Sequence, residues 1–143
     1  MTEQFIEDRK RGREGQNFVA QMLQSWGIEV ENVADGFFQD YDLRLSNGKT
    51  IEVKSDFLAS KTGRICLELE ALDHSKADLL AIVVKPPLTI YFKELPEVRQ
   101  FAHSWGKFVH GGEFKGEMAL VPRSIFLDRL KPQILTTNPN SND

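Results

Sequence analysis

The residues best suited to chemistry in this sequence are two carboxylates and a lysine: Asp42, Glu52 and Lys54. Glu52-Val53-Lys54 lies in a run over 50–55 that reads as a strand. Alternation then puts Glu52 and Lys54 on one face and Ile51 and Val53 on the other. Upstream, 41–45 reads as a second strand, with Ser46-Asn47-Gly48 as the turn signal between the two. A two-residue Asn47-Gly48 loop would pair Asp42 with Val53 and set the two carboxylates on opposite faces. A three-residue loop pairs Leu45 with Lys49, and therefore Asp42 with Glu52. That loop wants a left-handed residue at its third position, where Gly48 stands. The turn is thus compatible with directly opposed carboxylates, with Lys54 further along their face. Opposed carboxylates repel, and a divalent cation converts the repulsion into a site. Mg²⁺ (or Mn²⁺) takes hard oxygen ligands, commonly one or two carboxylates plus waters and phosphate. Such an ion polarises a phosphodiester and generates hydroxide. The lysine would stabilise the added negative charge or hold the attacking water. These are the parts that phosphodiester hydrolysis needs.

Glu-x-Lys alone is a weak signal, since Glu113-Phe114-Lys115 also fits it. That second copy has no acidic strand partner upstream and sits in a Gly-rich stretch read as a loop over 104–116. The competing reading of Asp42, Glu52 and Lys54 is a polar outer sheet face carrying a surface ion pair, worth only ~0–1 kcal/mol.

The elements that must position these groups follow from periodicity. A helix is expected over 8–26, with Phe18, Val19, Met22, Leu23 and Trp26 at helical spacing and Gly27 as its stop. Glu14 shares that apolar stripe. It is either an edge residue favoured by the helix dipole or a functional carboxylate. In 64–69, Ile65, Leu67 and Leu69 alternate with Cys66 and Glu68. The apolar run 79–84 reads as a strand covered on both faces, and Pro86-Pro87 ends it. A strand over 88–92, a helix from Pro96 to Ala102, a short strand over 118–121 and a helix over 122–130 complete the chain. One helix, a run of strands and then helices predict an α/β fold with a central mixed β-sheet flanked by helices. The expected division is a single domain over 1–130 and a polar tail over 131–143, partly disordered.

With those residues in place, the chain resembles the PD-(D/E)XK nuclease superfamily, whose fold is restriction-endonuclease-like. Its pattern is an acidic residue, a hairpin and Glu/Asp-x-Lys, preceded by a helix that often carries a Glu. Asp42, Glu52, Lys54 and Glu14 fill that order, which archaeal-type Holliday junction resolvases share. The resemblance is closer to small phage and bacterial nucleases. There the Glu-x-Lys strand precedes Thr-Gly-x-Ile-x-x-Glu and a Lys-Ala-Asp entry into an apolar strand. Here these are Thr62-Gly63-Arg64-Ile65-Cys66-Leu67-Glu68 and Ser75-Lys76-Ala77-Asp78-Leu79-Leu80. The resemblance runs from Gly12 to Val84. Two departures stand out: Tyr41 occupies the position of the motif's proline, and the chain is acidic where junction resolvases present a basic surface.

The resemblance implies that Asp42, Glu52 and the Val53 carbonyl bind Mg²⁺ or Mn²⁺. Lys54 would orient water or stabilise the transition state, and Glu14 would hold a metal-bound water or a second ion. Glu68 would stand behind these groups. Arg11, Arg13, Arg64 and Lys76 would touch nucleic acid. The implied activity is metal-dependent endonucleolytic cleavage of DNA. Two alternatives are a homodimeric Holliday junction resolvase and a DNA-binding or assembly module on the same fold with weak catalysis.

Composition narrows the field from the other side. The chain has 143 residues, a net charge of -3 and one cysteine; its mean hydropathy is -0.36 and its pI about 5.7. A lone Cys66 makes no internal disulfide, and with no cysteine cluster a zinc finger is excluded. His74, His103 and His110 have no ligand spacing. Cys66 is expected to be buried and inert. No apolar run reaches the ~18 residues of a spanning helix, and the charged start, with Arg9, Lys10, Arg11 and Arg13, is unlike a secretory signal. A cytoplasmic protein without a membrane partner is the expectation. The aromatics of Ser104-Trp105-Gly106-Lys107-Phe108 either stack on bases or anchor their loop.

Overall fold

The structure, a computed structural model, describes residues 3–33, 41–105, 109–110 and 116–128. Helix α1 (Glu3–Ser25) leads into β1 (Val30–Val33), β2 (Leu43–Leu45) and β3 (Thr50–Ser55). One turn of helix, α2 (Ala59–Thr62), precedes β4 (Arg64–Glu68) and α3 (Leu69–His74). Then come β5 (Leu79–Val84), β6 (Thr89–Glu94), α4 (Leu95–Ser104), β7 (Val109–His110), β8 (Glu117–Pro122) and α5 (Ile125–Asp128). The fold is mixed α/β, as the order of elements predicts.

The central sheet runs β1-β2-β3-β5-β6 and is antiparallel except between β3 and β5. A smaller antiparallel sheet runs β4-β8-β7. Strand β5 is buried along its whole length, which is why its sequence is continuously apolar rather than alternating. Its odd-numbered residues, Leu79, Ala81 and Val83, pack with Ile51 of β3 under Val19 and Leu23 of α1. Its even-numbered residues, Leu80, Ile82 and Val84, face Ile65 and Leu67 of β4, together with α3, α4 and Phe126. The parity of β3 and β5 thus sorts their apolar side chains into one of two cores. The entry to β5 is stitched by Asp78. Its N–H donates to the Thr50 carbonyl (3.1 Å), and its Oδ2 accepts from the Thr50 N–H (3.0 Å).

Several elements depart from expectation. Strand β1 was not anticipated, because four residues carry too little alternation to register. Helix α1 starts at Glu3, not Asp8, and Trp26 falls outside it, 56% exposed with its ring 5.6 Å from that of Phe92. Residues 69–74 turn into α3 rather than ending a strand, and their buried residues are Leu69 and Leu72. The last helix begins at Ile125, not Pro122, because 118–122 is taken up by pairing with β4. Within the stretch read as a loop, α4 runs through Ser104, and Val109–His110 pairs with Met118 and Glu117. The Trp105 ring lies against that of Phe101, tilted, with 5.7 Å between ring centres, which favours an anchoring role. The second Glu-x-Lys, at 113–115, and the tail 131–143 lie outside the described residues.

Candidate functional site

The β2–β3 hairpin closes with the three-residue loop. Leu43 faces Ile51 and Arg44 faces Thr50. Leu45 N–H donates to the Lys49 carbonyl at 2.8 Å, and Gly48 has a φ of +90°. A Cβ at Gly48 would be strained in that left-handed conformation. The regular ladder stops at Leu43. Asp42 N–H still reaches the Ile51 carbonyl (2.9 Å), but the next acceptor on the β2 side is a side chain: Asp42 Oδ2 takes the Val53 N–H at 2.7 Å. A carboxylate therefore replaces the backbone carbonyl that a longer β2 would have offered. In a strand the N–H and C=O of one residue point to the same side, so the Val53 carbonyl opens at this edge too.

Because the Val53 N–H lies in the plane of the sheet, its acceptor sits there as well and is open to both faces. From the α1 face, Gln16 Nε2 donates to Asp42 Oδ1 at 3.1 Å. From the other face comes the charge of Glu52. Burial pushes the Glu52 carboxyl up to about 7, and the negative charge of Asp42 adds to the rise; a hydrogen bond from Ser75 Oγ, long at 3.5 Å, opposes it. Asp42 is also raised by burial, against the lowering effect of the Val53 N–H. The two carboxylates are half-buried and electrostatically coupled.

Lys54 lies on the same face as Glu52, with its ammonium 3.2 Å from Glu68 Oε1 on β4. Glu52, Lys54, Glu68 and Ser75 line one cavity of ≈ 200 Å³ whose remaining wall is largely leucine. Ser75 is buried at the end of α3, and its position is set by Arg99. The Arg99 guanidinium donates to the Leu72 and Ser75 carbonyls, both at 2.9 Å.

Other residues singled out from the sequence stand elsewhere. Glu14 makes its ion pair with Lys85, just beyond the end of β5. The Lys85 ammonium also lies 4.7 Å from the centre of the Phe57 ring and 5.4 Å from that of Phe18. Among the described residues Glu14 makes no bond to Asp42, Glu52 or Lys54; the α1 side chain that reaches Asp42 is Gln16. Arg13, Arg64 and Lys76 are exposed, and the side chain of Arg11 lies outside the described residues. His103 Nε2 is 2.7 Å from Asp73 Oδ1, and His74 Nδ1 lies 3.0 Å from the Glu70 carbonyl, so both have local polar roles. Cys66 is only half-buried, with Sγ 3.2 Å from Met118 Sδ, and burial pushes its thiol up, away from the reactive thiolate.

Gln16 and Ser75 were missed in the sequence. A neutral amide two residues after a more conspicuous Glu14 gives no charge signal. Ser75 stood in a quoted motif only as the residue before Lys76. Among the described residues, no group of three or more His, Cys, Asp or Glu side chains gathers as a metal cage, and no helix is long and apolar enough to cross a membrane. No protein-family model matches the chain, and no curated protein matches it.

Proposed function

We propose that this chain is a metal-dependent endodeoxyribonuclease of restriction-endonuclease-like fold. The observation that carries the reading is the coupled pair Asp42 and Glu52, beside a cavity that also holds the Lys54 ammonium. The donor set fits a hard divalent cation. Both carboxyls are half-buried and raised by that burial, and the Asp42 charge raises Glu52 further; a shared proton or a shared cation relieves such a pair, and one or two carboxylates are what Mg²⁺ commonly takes from a protein. Asp42, Glu52 and the Val53 carbonyl would hold Mg²⁺ or Mn²⁺. When bound, such an ion supplies Lewis-acid polarisation of the phosphodiester and a more acidic water.

The protein groups contribute the rest. Val53 N–H and Gln16 fix the Asp42 carboxylate. Ser75 restrains Glu52 from the α3 side. Glu68 holds the Lys54 ammonium at the cavity, where it would meet a phosphate oxygen or orient the attacking water. The cavity's apolar wall lowers the local dielectric and strengthens the interactions of Glu52 and Lys54.

The test is cleavage of supercoiled plasmid, linear duplex and four-way junction DNA with and without Mg²⁺. Mg²⁺-dependent cleavage that is lost in Glu52→Ala is the expected outcome; equal activity in the two proteins overturns the reading. Preference for the four-way junction over linear duplex would favour the resolvase alternative, whose homodimer would then show in its mass in solution. One observation favours a second reading, a DNA-binding or assembly module with weak catalysis: Glu14, the helix carboxylate of the pattern, is engaged by Lys85. DNA retardation without cleavage under any divalent metal would select it.

A further inference from the structure

We propose that Gln16 is a positioning residue, the helix amide that holds the Asp42 carboxylate in the orientation its metal-binding role requires. The inference rests on the nuclease reading and adds to it a residue on α1 that the sequence pattern does not name.

One hydrogen bond does not orient an aspartate. The terminal torsion of its side chain is broad, so the Val53 N–H alone would leave the second oxygen free to swing about the first. Gln16 Nε2 takes that second oxygen: the two donors sit on different oxygens, at 2.7 Å and 3.1 Å, and together they fix the carboxylate plane. A carboxylate has about four acceptor sites, so each oxygen keeps one for a cation. The choice of amide matters as well. A lysine or arginine at position 16 would neutralise Asp42 and compete with the cation, whereas glutamine donates without adding charge. Among the described residues Asp42 is the hydrogen-bond partner recorded for Gln16.

The backbone gives this contact its precision. At Gly15 α1 presses on β3: a Cβ there would lie 2.1 Å from Ser55 Oγ and 3.6 Å from Val53 Cγ1. Gln16, the next residue, therefore projects from a helix seated directly on the strand that carries Val53. Side chains that hold metal ligands in place typically contribute ~10–100-fold to metal affinity.

The test is calorimetric titration of Mn²⁺ into the full chain: wild type, Gln16→Met, Gln16→Asn and the exposed control Asn17→Ala. Gln16→Met keeps the bulk and loses the donor; Gln16→Asn keeps the amide but withdraws it by one methylene. Both should bind Mn²⁺ ~10-fold more weakly with melting temperatures close to wild type, and Asn17→Ala should match wild type. If Gln16→Met does not fold, Gln16→Asn carries the comparison. Unchanged Mn²⁺ affinity in the position-16 variants overturns the proposal and leaves the nuclease reading standing, even if cleavage falls. A wild type that binds no Mn²⁺ overturns both.

Discussion

Two lysine–glutamate pairs occupy different parts of this molecule, and their surroundings set them apart. Lys85 meets Glu14 at the α1 side, where Phe18 and Phe57 flank the ammonium and the two side chains remain 35% and 43% exposed. Lys54 meets Glu68 across a leucine-walled cavity, with exposures of 24% and 25%, on the face that carries Glu52. The first pair has everything a docking contact needs: aromatic faces for the cation, a helix to fasten and water to screen it. The second is drier, has no aromatic partner among the described residues, and shares its cavity with a carboxyl whose pKa is raised to about 7. The lesson is that a lysine–glutamate ion pair does not by itself tell a docking contact from a candidate site. What the lysine's cavity also contains does.

That contrast can be broken in several ways. The largest effect should come from the carboxylates beside Lys54. Asp42→Asn and Glu52→Gln should each lower Mg²⁺-dependent plasmid cleavage by ~10³-fold or more, with far-ultraviolet circular dichroism unchanged. Next, Lys54→Met should cost ~10²-fold in cleavage, whereas Lys85→Met should leave the cleavage rate near wild type. Equal losses in the two lysine variants would erase the distinction.

The third effect is on stability and is read by pH. The Glu52 carboxyl titrates at about 7 in the fold against an ordinary 4.5, so the folded state holds this proton more tightly than the unfolded state. Its stabilising contribution is complete below the ordinary value and is lost as pH rises through about 7. The metal-free protein should therefore be less stable at about pH 8 than at about pH 5, by ~1–2 kcal/mol after solvent screening. Asp42, also raised, acts with the same sign. Glu52→Gln should flatten that slope in urea melts, and Mg²⁺ added to wild type at the higher pH should restore stability. The smallest effect belongs to the exposed pair: Glu14→Gln should cost under ~1 kcal/mol, while Lys85→Met, which also loses the aromatic contacts, should cost ~1 kcal/mol.

Much of the frame was legible because it depends on local rules. Gly48 set the hairpin loop, alternation set the face of Glu52 and Lys54, and the unbroken apolar run gave a strand covered twice. The part that was not legible depends on contacts distant in sequence. Nothing near Glu14 announces Lys85, 71 residues away, and nothing near Ser75 announces that Arg99 holds its carbonyl. Asp42 shows both sides. Its nearness to Glu52 follows from hairpin parity, but its bond to the Val53 N–H follows from β2 ending early, which no residue pattern signals. The restriction-endonuclease-like assignment and the nuclease activity rest on the site reading; the mixed sheet between helices is what the architecture itself carries.

Two glycines three residues apart on α1 have opposite meanings. A side chain at Gly12 would meet open space, so alanine there should simply firm the helix by ~1 kcal/mol. At Gly15 the same methyl group would lie 2.1 Å from the Ser55 hydroxyl, which would have to turn aside, and in contact with Val53 Cγ1 at 3.6 Å. Position 15 is thus a spacer of zero thickness: it sets the gap across which the neighbouring amide must stretch. A side chain larger than a methyl there would press on Ser55 and Val53 and so bear on the hold that Gln16 has on Asp42, without altering either of those two residues.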